Sequence, residues 1–224
     1  MGAALYRGRV TSCCRAASCE QFFKPGAARR SLEAYRRKGL DVLERQMVAS
    51  ASTGTLDGLR VLEIGGGIGR LQAELLDAGA AEGEVVELVS AYEPYARELA
   101  REKGLEARTS FHVVDILEEP DGVEPADVVV LNRVVCCSPD GVALAAAAAR
   151  LARQTLVLSF PRDVFWIRAG VRILNASLWL TRNPFRVFVH RPATLFAAAE
   201  AEGIHVREGD RNAFWQWATL RRDA

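Results

Sequence analysis

Val61-Leu62-Glu63-Ile64-Gly65-Gly66-Gly67-Ile68-Gly69-Arg70 is an apolar run followed by a glycine cluster, and Leu71-Gln72-Ala73-Glu74-Leu75-Leu76 continues it with helical periodicity. The pattern reads as strand, tight turn and helix. Glycine weakens regular elements, so four glycines in the five residues 65–69 need a reason, and close approach of backbone to a ligand supplies one. A dinucleotide fingerprint requires G-x-G-x-x-G/A, which lets the helix pack on the strand and meet a pyrophosphate. Gly65 and Gly67 fit that spacing, but Arg70 stands at the third position, which removes the pyrophosphate reading.

Working outward, strands are predicted at Arg60–Ile64, Glu84–Val89, Thr109–Val114, Asp127–Leu131 and Gln154–Ser159. Helices are predicted between them at Gly69–Asp77, Tyr92–Lys103 and Gly141–Leu151. Strands alternating with helices imply a parallel sheet with right-handed crossovers. Further strands are predicted at Phe185–Val189 and Phe214–Arg221, separated by a helix over Ala193–Glu202 and a possible short strand at Ile204–Arg207. Upstream, Ala27–Lys38 reads as a helix stopped by Gly39, and a second helix starts from Asp41 as N-cap. Residues 1–26 show no clear periodicity and read as a loosely packed arm.

The pattern Glu63-x-Gly65-x-Gly67-x-Gly69 resembles motif I of class I S-adenosylmethionine-dependent methyltransferases. YRRKGLD at 35–41, VELVSAYEPYARELA at 86–100 and LNRVVCCSPD at 131–140 look most like the bacterial small-molecule type, distantly similar to magnesium-protoporphyrin O-methyltransferases. Those enzymes carry His-Tyr-Pro where this chain has Cys137-Ser138-Pro139, a departure that argues against a tetrapyrrole. The resemblance implies an α/β, Rossmann-like, seven-stranded and mostly parallel sheet, with helices on both faces and an antiparallel last strand. It also implies S-adenosyl-L-methionine as cofactor and a division into an N-terminal cover, 1–52, and a catalytic domain, 53–224.

Carried over residue by residue, the resemblance places Glu63, Gly65, Gly67 and Gly69 under the cofactor, with Glu63 toward its ammonium. An acid after strand 2 should bind the ribose hydroxyls; Glu87, followed by Leu88, fits better than Glu84, too early, or Glu93, already helical. Asp115 and Ile116 occupy the adenine-binding turn, and Asn132 and Arg133 the methionine side. Tyr35 either closes over the cofactor carboxylate, with Arg36 or Arg37 beside it, or packs its helix.

At 224 residues with 50% apolar and 25% charged residues, the chain can bury one α/β core with short extensions. A net charge of +1 argues against a dedicated nucleic-acid surface. Residues 1–46 nevertheless hold ten basic residues against four acids. The absence of a (D/N)-P-P-(Y/F) motif disfavours methylation of base amino groups. The partner expected is therefore a small-molecule methyl acceptor. No uninterrupted apolar stretch of about 18 residues suggests a membrane span. Five cysteines, an odd count with two adjacent pairs, fit a reducing cytosol, although the Arg-rich N-terminus leaves a transit peptide open. Abundant alanine, and Arg in excess of Lys, lean toward a bacterial source.

An aromatic-rich insertion after Pro161, including Phe165 and Trp166, either roofs the acceptor or simply covers the sheet. A roof would suit a flat or apolar acceptor, and oxygen is the acceptor atom expected. His190, expected at a strand end on that rim, is the candidate base. Cys13, Cys14, Cys19, Cys136 and Cys137 could instead converge on a soft ion, giving a metalloid- or thiol-linked methyltransferase. A non-catalytic S-adenosylmethionine-binding module is the remaining alternative.

Overall fold

The computed structural model describes residues 16–223, so the readings made on Cys13 and Cys14 lie outside the described residues. Three helices precede the sheet: α1 (Ala16–Phe22), α2 (Pro25–Lys38) and α3 (Val42–Ala51). Then come β1 (Arg60–Ile64), α4 (Arg70–Asp77), β2 (Glu82–Glu87), α5 (Glu93–Glu102), β3 (Thr109–Val113) and β4 (Ala126–Asn132). The chain closes with α6 (Gly141–Leu151), β5 (Ala152–Pro161), α7 (Phe165–Leu180), α8 (Pro192–Glu200), β6 (Ile204–Arg211) and β7 (Trp215–Arg222).

The sheet order is β3-β2-β1-β4-β5-β7-β6. Pairings among β1 to β5 are parallel, and β7 runs antiparallel to both β5 and β6. Strand order reverses between β1 and β4, which puts a crevice beyond their carboxyl ends. Side chains alternate across β4: Val129 and Leu131 join the core under α6 and α8, while Val128 and Val130 join the core under α3, α4 and α5. That period of two in an apolar run is what lets helices cover both faces.

α3 begins with a reciprocal capping box, Asp41 accepting from Glu44 N and Glu44 from Asp41 N, both at 2.9 Å. Gly39 ends α2 at φ +63°, as expected from the glycine.

Two sequence expectations change. Phe185–Val189 is not a strand: the Asn175 side chain takes both the N–H and the C=O of Val187, and Phe188 N donates to Cys136 O at 2.8 Å. Ile204–Arg211 pairs with β7 in the place expected for that segment. The short strand expected at Ile204–Arg207 extends to Arg211, where the charged, mostly exposed residues of an edge strand with one neighbour give little apolar alternation. The N-terminal arm also contains a helix, α1, with Cys19 buried and Phe22 stacked on Phe185 at 4.2 Å.

Candidate cofactor and acceptor site

Glu63 is the penultimate residue of β1, and its neighbour turn cannot be built from ordinary residues. Gly65 has φ +64°, and a Cβ there would lie 2.6 Å from the Val134 side chain. Gly69 has φ +74°, with a Cβ 2.8 Å from Val85, so a side chain would push α4 off β2. The glycines thus satisfy backbone conformation and packing as much as ligand clearance.

The turn opens into a cavity of 270 Å³ walled by the ends of four adjacent strands. β1 contributes Glu63 through Gly67, β2 contributes Glu87 with Leu88 and Val89, the segment after β3 contributes Asp115 and Ile116, and β4 contributes Asn132 and Arg133. Among the expected cofactor residues, only Tyr35 and Gly69 do not line it. Tyr35 is buried against α4 and α5 instead: its hydroxyl donates to Glu74, and Lys103 Nζ lies 5.7 Å from its ring centre. Burial and the neighbouring Glu74 push that phenol up to about 12, leaving it a donor at neutral pH. Arg36 pairs with Glu98 and Glu102 on α5, away from the cavity.

The three carboxylates that line the cavity are held by backbone donors. Glu63 Oε2 accepts from Gln72 N at 2.9 Å, and full burial raises its pKa to about 8, opposed by that bond and by Arg70. Glu87 Oε2 accepts from Gly67 N at 2.9 Å, while Oε1 accepts from Leu88 N at 2.8 Å and Val89 N at 3.3 Å. Burial raises the Glu87 pKa; the three N–H groups pull the other way. Asp115 Oδ1 accepts from Leu117 N at 3.0 Å, which shapes the turn and presents the carboxylate at the cavity wall.

A polar cluster closes the β4 side. Glu44, 2% exposed, pairs with Arg70 and accepts from Asn132 Nδ2 at 2.8 Å. Asn132 Oδ1 accepts from Ser159 Oγ at 2.8 Å, and Ser159 Oγ accepts from Arg133 N at 2.9 Å. Arg133 occupies a left-handed conformation at φ +61°, reaches Asp41 and lies 5.1 Å from the Trp215 ring centre. Its buried Nε has no hydrogen-bond partner among the described residues. Arg70 lines the cavity beside it. Reading Arg70 only as a break in a fingerprint missed this; its place directly after the last glycine was the available signal.

The far wall comes from Cys19 and Phe23, Ser31 of α2, Tyr92, and Cys137 with Ser138. Phe23 meets Phe185 edge to face at 5.3 Å. The insertion does not form this wall, because Phe165 and Trp166 of α7 are exposed to solvent. Cys136 Sγ lies 4.0 Å from Cys137 Sγ, a contact that lowers the Cys136 pKa. Among the described residues no group of three or more metal-ligating side chains comes together. His190 stands in a loop outside the cavity wall: Nε2 donates to Ser138 O at 3.0 Å, and the ring fills the space a Cβ on Gly141 would need.

No family model matches the sequence, and no curated protein matches it. Solved structures do resemble the fold. Magnesium protoporphyrin IX methyltransferase from Synechocystis with bound SAH is 18% identical at TM-score 0.72, over 93% of this chain and 99% of that one. An O-methyltransferase family protein from Burkholderia thailandensis is 18% identical at TM-score 0.69, over 92% of this chain and 63% of that one. The mitomycin 7-O-methyltransferase MmcR is 20% identical at TM-score 0.63, over 93% of this chain and 61% of that one. The chain therefore has the class I methyltransferase fold, with the sheet order, helix layers and reversed β7 expected from the sequence.

Proposed function

We propose that the protein is an S-adenosylmethionine-dependent methyltransferase acting on a small, flat or apolar molecule, with oxygen as the acceptor atom. The observation that carries this reading is the convergence of Glu63, Glu87, Asp115 and Arg133, from four strand ends, on one cavity whose floor is the glycine turn. S-adenosylmethionine, when bound, supplies an electrophilic methyl group on a sulfonium.

The donor set fits that molecule. Glu87 offers two carboxylate oxygens already oriented by backbone N–H groups, which suits a ribose diol. Asp115 can accept from an exocyclic amine, with Ile116 and Leu88 supplying apolar contact. Glu63, which burial keeps protonated in the empty site at neutral pH, would give up that proton to pair with an ammonium group, and Arg70 with Arg133 provides positive charge for a carboxylate.

Transfer to a hydroxyl forms a C–O bond, breaks the S–C bond and releases one proton. Positioning in a dry site accounts for most of the rate in such an in-line displacement. Cys19, Phe23 and Ser31 shield the far end of the cavity beside Tyr92, so residues 16–52 serve as the cover. The similarity to two O-methyltransferases supports oxygen as the acceptor atom. His190, with Nε2 committed to Ser138, takes a positioning role at the rim in this reading.

The test is titration with S-adenosylhomocysteine followed by labelled methyl transfer into a small-molecule extract. Binding and a labelled product are expected; absence of binding rejects the cofactor assignment, and binding without transfer supports a non-catalytic module. His190→Gln is expected to leave the rate of transfer within about threefold, and a loss of about a hundredfold or more would restore His190 as the base.

A further inference from the structure

α7 has two apolar sides, and the fold uses one. Ile167, Val171, Asn175 and Leu178 repeat at helical spacing and turn inward; Leu178 packs near Phe185, and Asn175 binds Val187 at 2.8 and 2.9 Å. The opposite stripe, Phe165, Ile173 and Leu180 with Trp166 beside it, faces solvent. Phe165 is 78% exposed, Ile173 72% and Leu180 78%, and Trp179 toward the end of the helix is 71% exposed. A surface helix normally carries polar residues there. Such a concentration of large apolar side chains marks an interaction site.

The charge around this stripe selects the occupant. Residues 162–191 contain six arginines, Arg162, Arg168, Arg172, Arg182, Arg186 and Arg191, and a single acid, Asp163, in a chain of net charge +1. Asp163 is already paired with Arg168. A second copy docking face to face would bring two such basic segments together. Residues 1–15, with Arg7, Arg9 and Arg15 and no acid, would face the same repulsion. An anionic lipid surface is attracted instead, and exposed Trp, Phe and Leu beside Arg are the composition that seats a helix in the headgroup layer.

We propose that α7 is a peripheral membrane-binding helix that lies on anionic phospholipid and inserts Phe165, Trp166, Ile173 and Leu180 into the interface. The proposal is independent of the methyl-transfer reading. Its inner side packs near Phe185, which touches the cavity residue Phe23, so the bound surface adjoins the far wall of the cavity.

The experiment is vesicle co-sedimentation of the full-length protein with phosphatidylcholine alone, and with about one-third phosphatidylglycerol added. The expected result is binding to the anionic vesicles, weakened by salt, with a blue shift in tryptophan emission. The triple substitution Phe165→Ser, Ile173→Ser and Leu180→Ser should reduce partitioning about tenfold or more, with an unchanged melting curve by circular dichroism because the three side chains are exposed. No binding to anionic vesicles overturns the proposal, as does binding the triple variant leaves intact. A dimer in solution that the triple variant dissociates, without vesicle binding, overturns it too and assigns the stripe to a second copy.

Discussion

The two ends of the cavity are built in different ways. At the glycine-turn end, Glu63, Gly65, Gly67 and Glu87 come from two adjacent parallel strands and one connecting turn, within 25 residues of chain. At the other end, Cys19, Phe23 and Cys137 are brought together from segments more than 100 residues apart. The first end is fixed by hydrogen-bonded backbone and is rigid by construction. The second is fixed by side-chain packing of Phe22, at the end of α1, and the following Phe23 on Phe185, with Phe23 also against Tyr92. A scaffold that holds one common ligand and varies its acceptor is expected to divide this way, because packing tolerates substitution more readily than a hydrogen-bonded turn does.

Substitutions can break that contrast. The largest effect is expected at Glu44, which ties α3 to α4 and β4: Glu44→Ala strands Arg70 and Asn132 and should cost about 3–5 kcal/mol of stability, read by urea denaturation. A loss below about 1 kcal/mol would show that Arg70 and Asn132 find other partners.

Glu63 comes next. Its folded pKa of about 8 lies above the ordinary carboxyl value of 4.5, so the folded state holds a proton that the unfolded state has released between those values. Stability should therefore fall as pH rises through this window, by about 2–4 kcal/mol in total. Glu63→Gln should flatten that slope in thermal melts at a series of pH values, and an unaltered slope would assign the dependence to another group.

Glu87→Ala should weaken S-adenosylhomocysteine binding by about tenfold or more, roughly 1.4 kcal/mol, in calorimetric titration. Unchanged affinity would remove Glu87 from the ribose role. The smallest effect is expected at Phe23→Ala, which opens the far wall and should leave that affinity within about threefold. A tenfold loss there would mean that the two ends are not separable.

The fold was legible because its signals are local. The run Val61–Ile64, the glycines and the apolar block Val128–Leu131 each declare a strand or turn within a few residues, and their alternation leaves few topologies. That Glu63, Glu87 and Asp115 would meet at one cavity was readable for the same reason, since each stands at a strand end and strand ends converge in a parallel sheet. Tyr35 was not, because its helix has two neighbours and only packing decides that it turns toward Glu74 and Lys103. The strand expected at Phe185–Val189 fails on a single side chain, Asn175, which captures Val187 from ten or more residues away.

By itself, then, the sequence determined the order of elements, the glycine turn and the acids beside it, all properties of residues close in the chain. The tertiary structure alone decided that Arg70 neutralises Glu44, that Ile204–Arg211 rather than Phe185–Val189 borders β7, and that the aromatic side of α7 faces outward. Those outcomes depend on which distant groups compete for the same hydrogen bond or apolar surface, and that competition exists only after the sheet has brought them together.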